Sequence, residues 1–217
     1  MNGVRGLLIT PLAGAVLAAG CAAPGAGNSF DPGDLPATSG ARAATGSPVP
    51  SAETVEVGEG LKLVVEWPAA VPAEHRKMFE TYRDTQTRLY RAVLTRGEEE
   101  GYAARMDAEV AQESYRWVKD FLDQRRSLSG TVRLYHLRVP SVTGDGAQVD
   151  VCVDQTGLRL TDARTGKAVT TQPAWARPPE STYLQSALMH RQDDGTWRIR
   201  SYRHAVPPHE RAKGCQR

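Results

Sequence analysis

The chain has 217 residues, with 27 Lys or Arg against 25 Asp or Glu and a formal net charge of +2. So small an excess leaves out the strongly basic balance on which binding to a phosphate backbone depends, and no nucleic-acid partner is expected. Once the N-terminal segments described next are set aside, about 160 residues remain, enough chain for one domain with a core of its own.

Residues 1 to 20 have the pattern of an export signal. Arg5 and the free amine supply positive charge, and Gly6 to Gly20 is uncharged. That stretch is too short to cross a bilayer, and Pro11 weakens it as a helix, so it suits a segment that is removed. Its end, Leu17-Ala18-Ala19-Gly20-Cys21, resembles the lipobox of bacterial lipoproteins, with Ala18 standing where that motif prefers a larger aliphatic residue. The resemblance implies cleavage before Cys21, a diacylglyceryl group on its thiol, and a domain held on the extracytoplasmic face of the cell membrane. Two acyl chains anchor stably where one binds only marginally. The other reading is an ordinary secretory signal with an incidental cysteine. Cleavage there removes Arg5 and leaves a net charge of +1 (26 basic against 25 acidic residues).

Residues 21 to 57 form the expected linker. They are rich in Ala, Gly, Pro, Ser and Thr, and cannot bury enough apolar surface to offset their ordering entropy. A flexible coil of about 35 residues reaches on the order of 30 Å. Residues 58 to 217 then form a single α+β domain.

Leu61 to Trp67 is a predicted strand, ended by Pro68. A helix is predicted from Pro72 to Arg96, with Met78, Tyr82, Thr85, Leu89 and Val93 on one face and Gly97 closing it. A second helical region runs from Glu98 to Arg126, with Met106, Val110, Ser114, Trp117, Phe121 and Leu122 on one face. The remainder is antiparallel β by pattern. Thr131 to Val142 is one strand, and Gly144-Asp145-Gly146 turns the chain into Ala147 to Asp154. There Val149, Val151 and Val153 share one face, and Gln148, Asp150, Cys152 and Asp154 the other. Gln155-Thr156-Gly157 is read as a further turn, into Leu158 to Asp162. After a proline-rich excursion around Trp175, Thr182 to His190 and Thr196 to His204 form a hairpin about Asp193-Asp194-Gly195.

With Cys21 assigned to lipid, Cys152 and Cys215 remain as an even pair in an oxidising compartment. Their bridge closes a 63-residue span (215 − 152). The alternative is a reactive thiol.

Two helices followed by an antiparallel sheet ending in Gly195-Thr196-Trp197-Arg198 resemble the nuclear transport factor 2-like superfamily, and more narrowly its secreted lipoproteins in high-GC Gram-positive bacteria. Trp67-Pro68, Val149 to Asp154 and Thr165-Gly166 carry the likeness too, over about residues 61 to 215. It implies helices packed on a curved antiparallel sheet, a cone that encloses a pocket. It implies no single activity: some relatives are isomerases or cyclases with an Asp or His in the cone, others only bind or assemble.

Acid–base work in such a cone needs an inward carboxylate or imidazole. His136, Asp150 and Asp154 are the pocket candidates, with His190 and His204 on the last hairpin. Alternation along Val132 to Arg138 sets His136 with Val132, Leu134 and Arg138, a face that could point into the pocket; the plainer reading is a solvent-facing or hydrogen-bonded strand histidine. Asp150, on the face of Gln148 and Asp154, is expected to be wet or at a rim. Arg198, Arg200, Arg203 and Lys213 are candidates for contact with anionic lipid or wall polymer, or simply charges that discourage edge pairing. No metal or cofactor is expected: His204, His209, Glu210 and Cys215 lack ligand spacing, and the sequence has no nucleophile elbow or phosphate-cradling glycine loop. The expected function is a membrane-anchored, non-enzymatic binding or assembly module. Its partners would be the membrane itself and an envelope protein or wall polymer. The alternative is an isomerase- or cyclase-like pocket enzyme.

Overall fold

A computed structural model describes residues 50–217; the expectations for the signal, for Cys21 and for nearly all of the linker lie outside the described residues. The first strand, β1, is Ser51–Gly58. It pairs antiparallel with β2, Leu61–Trp67, so the sheet starts inside the stretch expected to be linker. Only Val57 of β1 is fully buried, which is why composition suggested a tether. What holds β1 is polar. Glu53 accepts from Trp67 Nε1 at 2.8 Å and from Arg83 Nη1 at 2.9 Å.

Helix α1, Ala73–Leu94, begins after Pro72. Met78, Tyr82, Thr85 and Val93 are buried as the periodicity requires, and Phe79, Gln86 and Tyr90 widen the buried face. The second helical region is divided. A 3₁₀ turn, Ala103–Arg105, precedes α2, Ala108–Asp123. Between them Met106 is fully buried, and the Asp107 N–H donates to Ile199 O at 2.9 Å. That stitch to the sheet interrupts the helix, and Val110, Ser114, Val118 and Phe121 form the buried face of α2. Among the described residues no helix is long and apolar enough to cross a membrane.

Four strands complete the sheet: β3 Arg126–Thr143, β4 Gly146–Asp162, β5 Thr182–Arg191 and β6 Trp197–Ala205. The strand order is β1-β2-β3-β4-β5-β6. Neighbours are antiparallel except β2 and β3, which are parallel because both helices lie in the connection between them. The sheet is thus mostly, not wholly, antiparallel.

The two longest strands carry bulges. Gln155-Thr156-Gly157, read as a turn, stays inside β4: Thr131 pairs with Gly157 but Arg133 with Asp154. Asp154 Oδ1 accepts from the Thr156 N–H at 2.8 Å, so the turn chemistry is real but makes a bulge, not a reversal. Opposite it, Gly130 has φ +107, and a Cβ there would stand 2.0 Å from Gly157 O. In β3, Tyr135 pairs with Cys152 and Arg138 with Asp150, which leaves His136 and Leu137 opposite one residue. His136 takes a left-handed φ of +50.

One core cluster joins the helices to one face of the sheet; it includes Met78, Tyr82, Val118, Val149, Val151 and Val153. A smaller cluster covers the opposite face: Tyr135, Cys152, Leu184 and Ala205 meet Ala212 and Cys215 of a C-terminal 3₁₀ segment, Glu210–Cys215. Cys152 and Cys215 are disulfide-bonded, Cα–Cα 5.3 Å. Replacing both by serine is expected to lower the free energy of unfolding by about 2–4 kcal/mol. A urea midpoint unchanged in the double variant would show that the bridge does not hold the segment down.

A neutral polar cavity between the helices and the sheet

Along β5, Tyr183 and Gln185 alternate with Leu184 and Ser186, and along β6 Tyr202 and His204 alternate with Arg203. Period two sends Tyr183, Gln185, Tyr202 and His204 to the helix-facing side. Across from them, Tyr82, Gln86 and Tyr90 recur every fourth residue on α1, one line along the helix surface. Gln86 and Tyr90 of the one line and Tyr183, Gln185, Tyr202 and His204 of the other border a cavity of about 460 Å³, with Tyr82 bonded to Gln185 behind it. Its apolar wall includes Leu89, Val110, Leu158 and Trp117. Trp117 meets Tyr90 edge to face at 5.9 Å and Phe121 at 4.8 Å. Trp175, on the proline-rich excursion, completes the wall, and Glu113 and Glu180 stand exposed at the rim.

The amides, the imidazole and the Tyr82, Tyr90 and Tyr202 hydroxyls are paired through hydrogen bonds. Gln185 Oε1 accepts from the Tyr82 hydroxyl and from Gln86 Nε2 at 3.2 Å. Gln86 Nε2 also donates to the Tyr202 hydroxyl at 3.2 Å. Gln185 Nε2 lies 2.6 Å from His204 Nε2. With Oε1 turned to two donors, the Gln185 amide donates to the imidazole, whose proton therefore sits on Nδ1. Separately, Gln155 Nε2 donates to the Tyr90 hydroxyl at 2.9 Å.

Burial keeps these groups uncharged. It raises the Tyr82 and Tyr183 phenols well above their ordinary value, with nearby tyrosines adding to the effect. Burial raises Tyr90 to about 12, against a smaller downward pull from Gln155. Tyr202 is pushed up by the same cause, opposed by its bond from Gln86. His204 is exposed at the cavity mouth, and the desolvation of the part of its ring that faces the cavity lowers it. At neutral pH the cavity therefore presents amides, phenols and a neutral imidazole.

The three pocket candidates from the sequence do not line this cavity. The bulge in β3 is the reason for His136: Leu134 and Leu137 both enter the helix-side core, and His136, between them with Tyr135, is turned out. His136 is exposed, its Nδ1 2.9 Å from Gly214 O. Asp150 lies on the outer face as alternation required, but is 3% exposed rather than wet. It accepts from Ser186 Oγ at 2.6 Å, Gln148 Nε2 at 2.7 Å and Arg138 Nη2 at 3.0 Å. Burial alone would push the Asp150 carboxyl up; those three donors outweigh it and hold the carboxyl below its ordinary value. Asp154 caps its own bulge. Of the histidines considered, His204 reaches the cavity, whereas His190 Nε2 lies 3.2 Å from Asp107 at the start of α2.

The basic candidates divide as well. Arg198 is committed to Asp107 at 3.4 Å and to Met106 O, and Lys213 to Glu210 at 2.7 Å. Arg200 and Arg203 are exposed on β6, without an ion pair among the described residues.

No protein-family model and no curated protein matches the chain. Solved structures do resemble it. The intermembrane-space region of chloroplast protein ARC6 is 15% identical with a TM-score of 0.45, covering 63% of this chain and 99% of that one. Aln2 from a Streptomyces species is 13% identical, TM-score 0.42, covering 63% and 93%. A ketosteroid isomerase-like protein from Erwinia carotovora is 15% identical, TM-score 0.40, covering 64% and 100%. At these identities the likeness carries nothing about activity.

The lowered His204 value has a consequence for stability with a definite sign. Between its folded value and the ordinary histidine value the unfolded chain binds a proton that the folded chain does not, so stability is complete above the ordinary value and declines as pH falls below it. Urea midpoints taken at about pH 7.5 and about pH 5 should fall further for the native chain than for His204→Gln, the carboxylates common to both chains contributing equally to the two drops. Equal drops would remove His204 from the linkage.

Proposed function

We propose that this chain is an extracytoplasmic lipoprotein, anchored through Cys21, whose domain binds a small uncharged ligand with an apolar body and a polar end. One observation carries the ligand reading. The cavity's aromatic and aliphatic walls converge on a single cluster of amide, phenol and neutral imidazole groups. Sites of this size bury most of a small organic molecule, with a few fixed polar groups setting its orientation. On this reading the helices and the bulged strands form the half-open cone of nuclear transport factor 2-like domains. The domain then spans residues 51 to 217, and a tether of residues 22 to 50 still reaches on the order of 30 Å from the membrane.

The anchor is supported by the lipobox-like sequence and by the disulfide. The bridge between Cys152 and Cys215 uses two of the three cysteines and belongs to an oxidising compartment. Cys21 is left for lipid. Arg200 and Arg203 remain the groups available for an anionic envelope polymer or headgroup.

A second reading, a proton-transfer enzyme of isomerase or cyclase type, rests on His204, a neutral imidazole at the cavity mouth. In this structure its Nε2 accepts from Gln185, which suits recognition better than proton abstraction.

Two measurements test the proposal. Cys21→Ala should move the chain from the membrane fraction to the soluble one, and mass spectrometry of the native chain should find a diacylated Cys21 at its N-terminus. An unmodified N-terminus elsewhere overturns the anchor. Nile red, an uncharged apolar dye, should bind the native chain with energy transfer from Trp117 and Trp175, and Leu89→Trp should exclude it by filling the cavity. Undiminished dye binding by that variant, with its fold intact by circular dichroism, overturns the cavity as the site.

A further inference from the structure

The chain of bonds from His204 to Tyr202 has a property that its members' separate roles do not suggest. Amides and hydroxyls both donate and accept, so a chain made of them can run in either sense. In the sense observed, Gln185 donates to His204 Nε2, Gln185 Oε1 accepts from Gln86, and Gln86 donates to the Tyr202 oxygen. The Tyr202 hydroxyl proton is then free to point into the cavity that Tyr202 lines.

We propose that His204 sets the sense of this chain: a proton gained at its Nε2 reverses every link and turns the Tyr202 hydroxyl from a donor toward the cavity into an acceptor. The balance is simple. A solvent proton is added to the Nε2 lone pair, and no other covalent bond changes. The imidazolium N–H cannot face an amide NH₂, so the Gln185 amide turns and offers Oε1. Its NH₂ then faces Gln86, whose amide turns in the same way and offers its own oxygen to Gln185 and to Tyr202. Tyr202 must now donate to Gln86, and only its lone pairs remain for the cavity. One group opposes the reversal. The fully buried Tyr82 hydroxyl donates to Gln185 Oε1 in the observed sense and loses that acceptor in the other. The observed sense is therefore the resting one.

The groups that face His204 act in known directions. Tyr183 on β5 packs edge-on with ring centroids 5.4 Å apart, and Tyr202 on β6 lies 6.5 Å away. With Tyr82 and Tyr90 on α1 they titrate far above the range in question and stay neutral. Arg203, adjacent on β6, is turned to the other face. The remaining charged groups at the cavity are Glu113 of α2 and Glu180 ahead of β5, both exposed at the rim. For a ligand, the inference rests on the cavity reading above. Under resting conditions the site prefers an acceptor such as a carbonyl, and under acid conditions a donor such as a hydroxyl.

The test does not need the natural ligand. Long-range ¹H–¹⁵N spectra of the full-length chain should give His204 as the Nδ1–H tautomer at neutral pH. On acidification the side-chain amide signals of both Gln185 and Gln86 should shift with the midpoint of His204. In Gln185→Met, His204 should still titrate while Gln86 no longer follows it. An Nε2–H tautomer at neutral pH, or a Gln86 amide that stays flat while His204 titrates in the native chain, overturns the proposal. Nile red, with a carbonyl and no N–H or O–H donor, supplies the ligand arm. Its affinity should weaken about tenfold across the same midpoint, the worth of one hydrogen bond, and the weakening should vanish in His204→Gln. If the dye binds at no pH while Gln86 tracks His204, the switch stands and the cavity reading fails. Dye affinity that is flat through the titration, with tight binding throughout, overturns the switch as a determinant of ligand choice.

Discussion

Over residues 149 to 153 of β4 and 184 to 187 of β5 neither face of the sheet is left to solvent. A strand sends successive side chains to opposite sides. Here both sides are covered, one by α1 and α2 and the other by the C-terminal 3₁₀ segment. Every position along these two runs must therefore suit a buried partner. The Cys152–Cys215 bridge holds the outer cover in place. Around it, Tyr135 donates to Cys215 O, and Arg217 both pairs with Glu66 and lies 3.7 Å over the Tyr135 ring. With the outer face closed by these contacts, the inner face of the same strands is free to line a cavity.

The two covers solve opposite electrostatic problems. On the outer face a carboxylate is buried, and Asp150 stays charged because Ser186, Gln148 and Arg138 donate to it and Arg211 lies 3.9 Å away. A buried charge with that many partners fixes the position of the segment above it. On the inner face the buried polar groups are uncharged and satisfy one another. Such a network is costly if any member is unpaired, and its members hold one another in place. The first arrangement is structural. The second leaves a hydroxyl, Tyr202, with hydrogen-bonding capacity directed into the cavity.

Alternation and helical periodicity exposed much of this. The Val149, Val151 and Val153 face, the Met78–Tyr82–Val93 line of α1, the last hairpin and the Cys152–Cys215 pairing follow from spacing and composition. Where β3 and β4 depart from simple alternation and turn signals, the two departures have one physical origin. A bulge adds a residue to one strand without leaving a mark that differs from a turn or from a regular strand. Simple alternation offers His136 an inward direction because Val132 and Leu134 are inward; the bulge turns it out, in line with the solvent-facing reading. Gln155-Thr156-Gly157 has the residues of a turn, and it forms a bulge because Gly130 allows the backbones to approach.

The candidate site was less legible. Tyr82, Gln86 and Tyr90 are spaced as a line on α1, but glutamines and tyrosines at four-residue intervals look like an ordinary amphipathic border. His204 was visible as a histidine on the last strand; nothing local tied it to Gln185. By itself the sequence determined the disulfide partners and the type of nearly every element among the described residues, because these depend on neighbours within a few residues or on the count of cysteines. Tertiary structure alone decided which face each bulged strand presents, and which amides and phenols meet in one hydrogen-bonded chain. Register and close approach between residues 99 to 116 positions apart, as for Gln86 with Gln185 and Tyr202, are fixed only when the strands and helices pack.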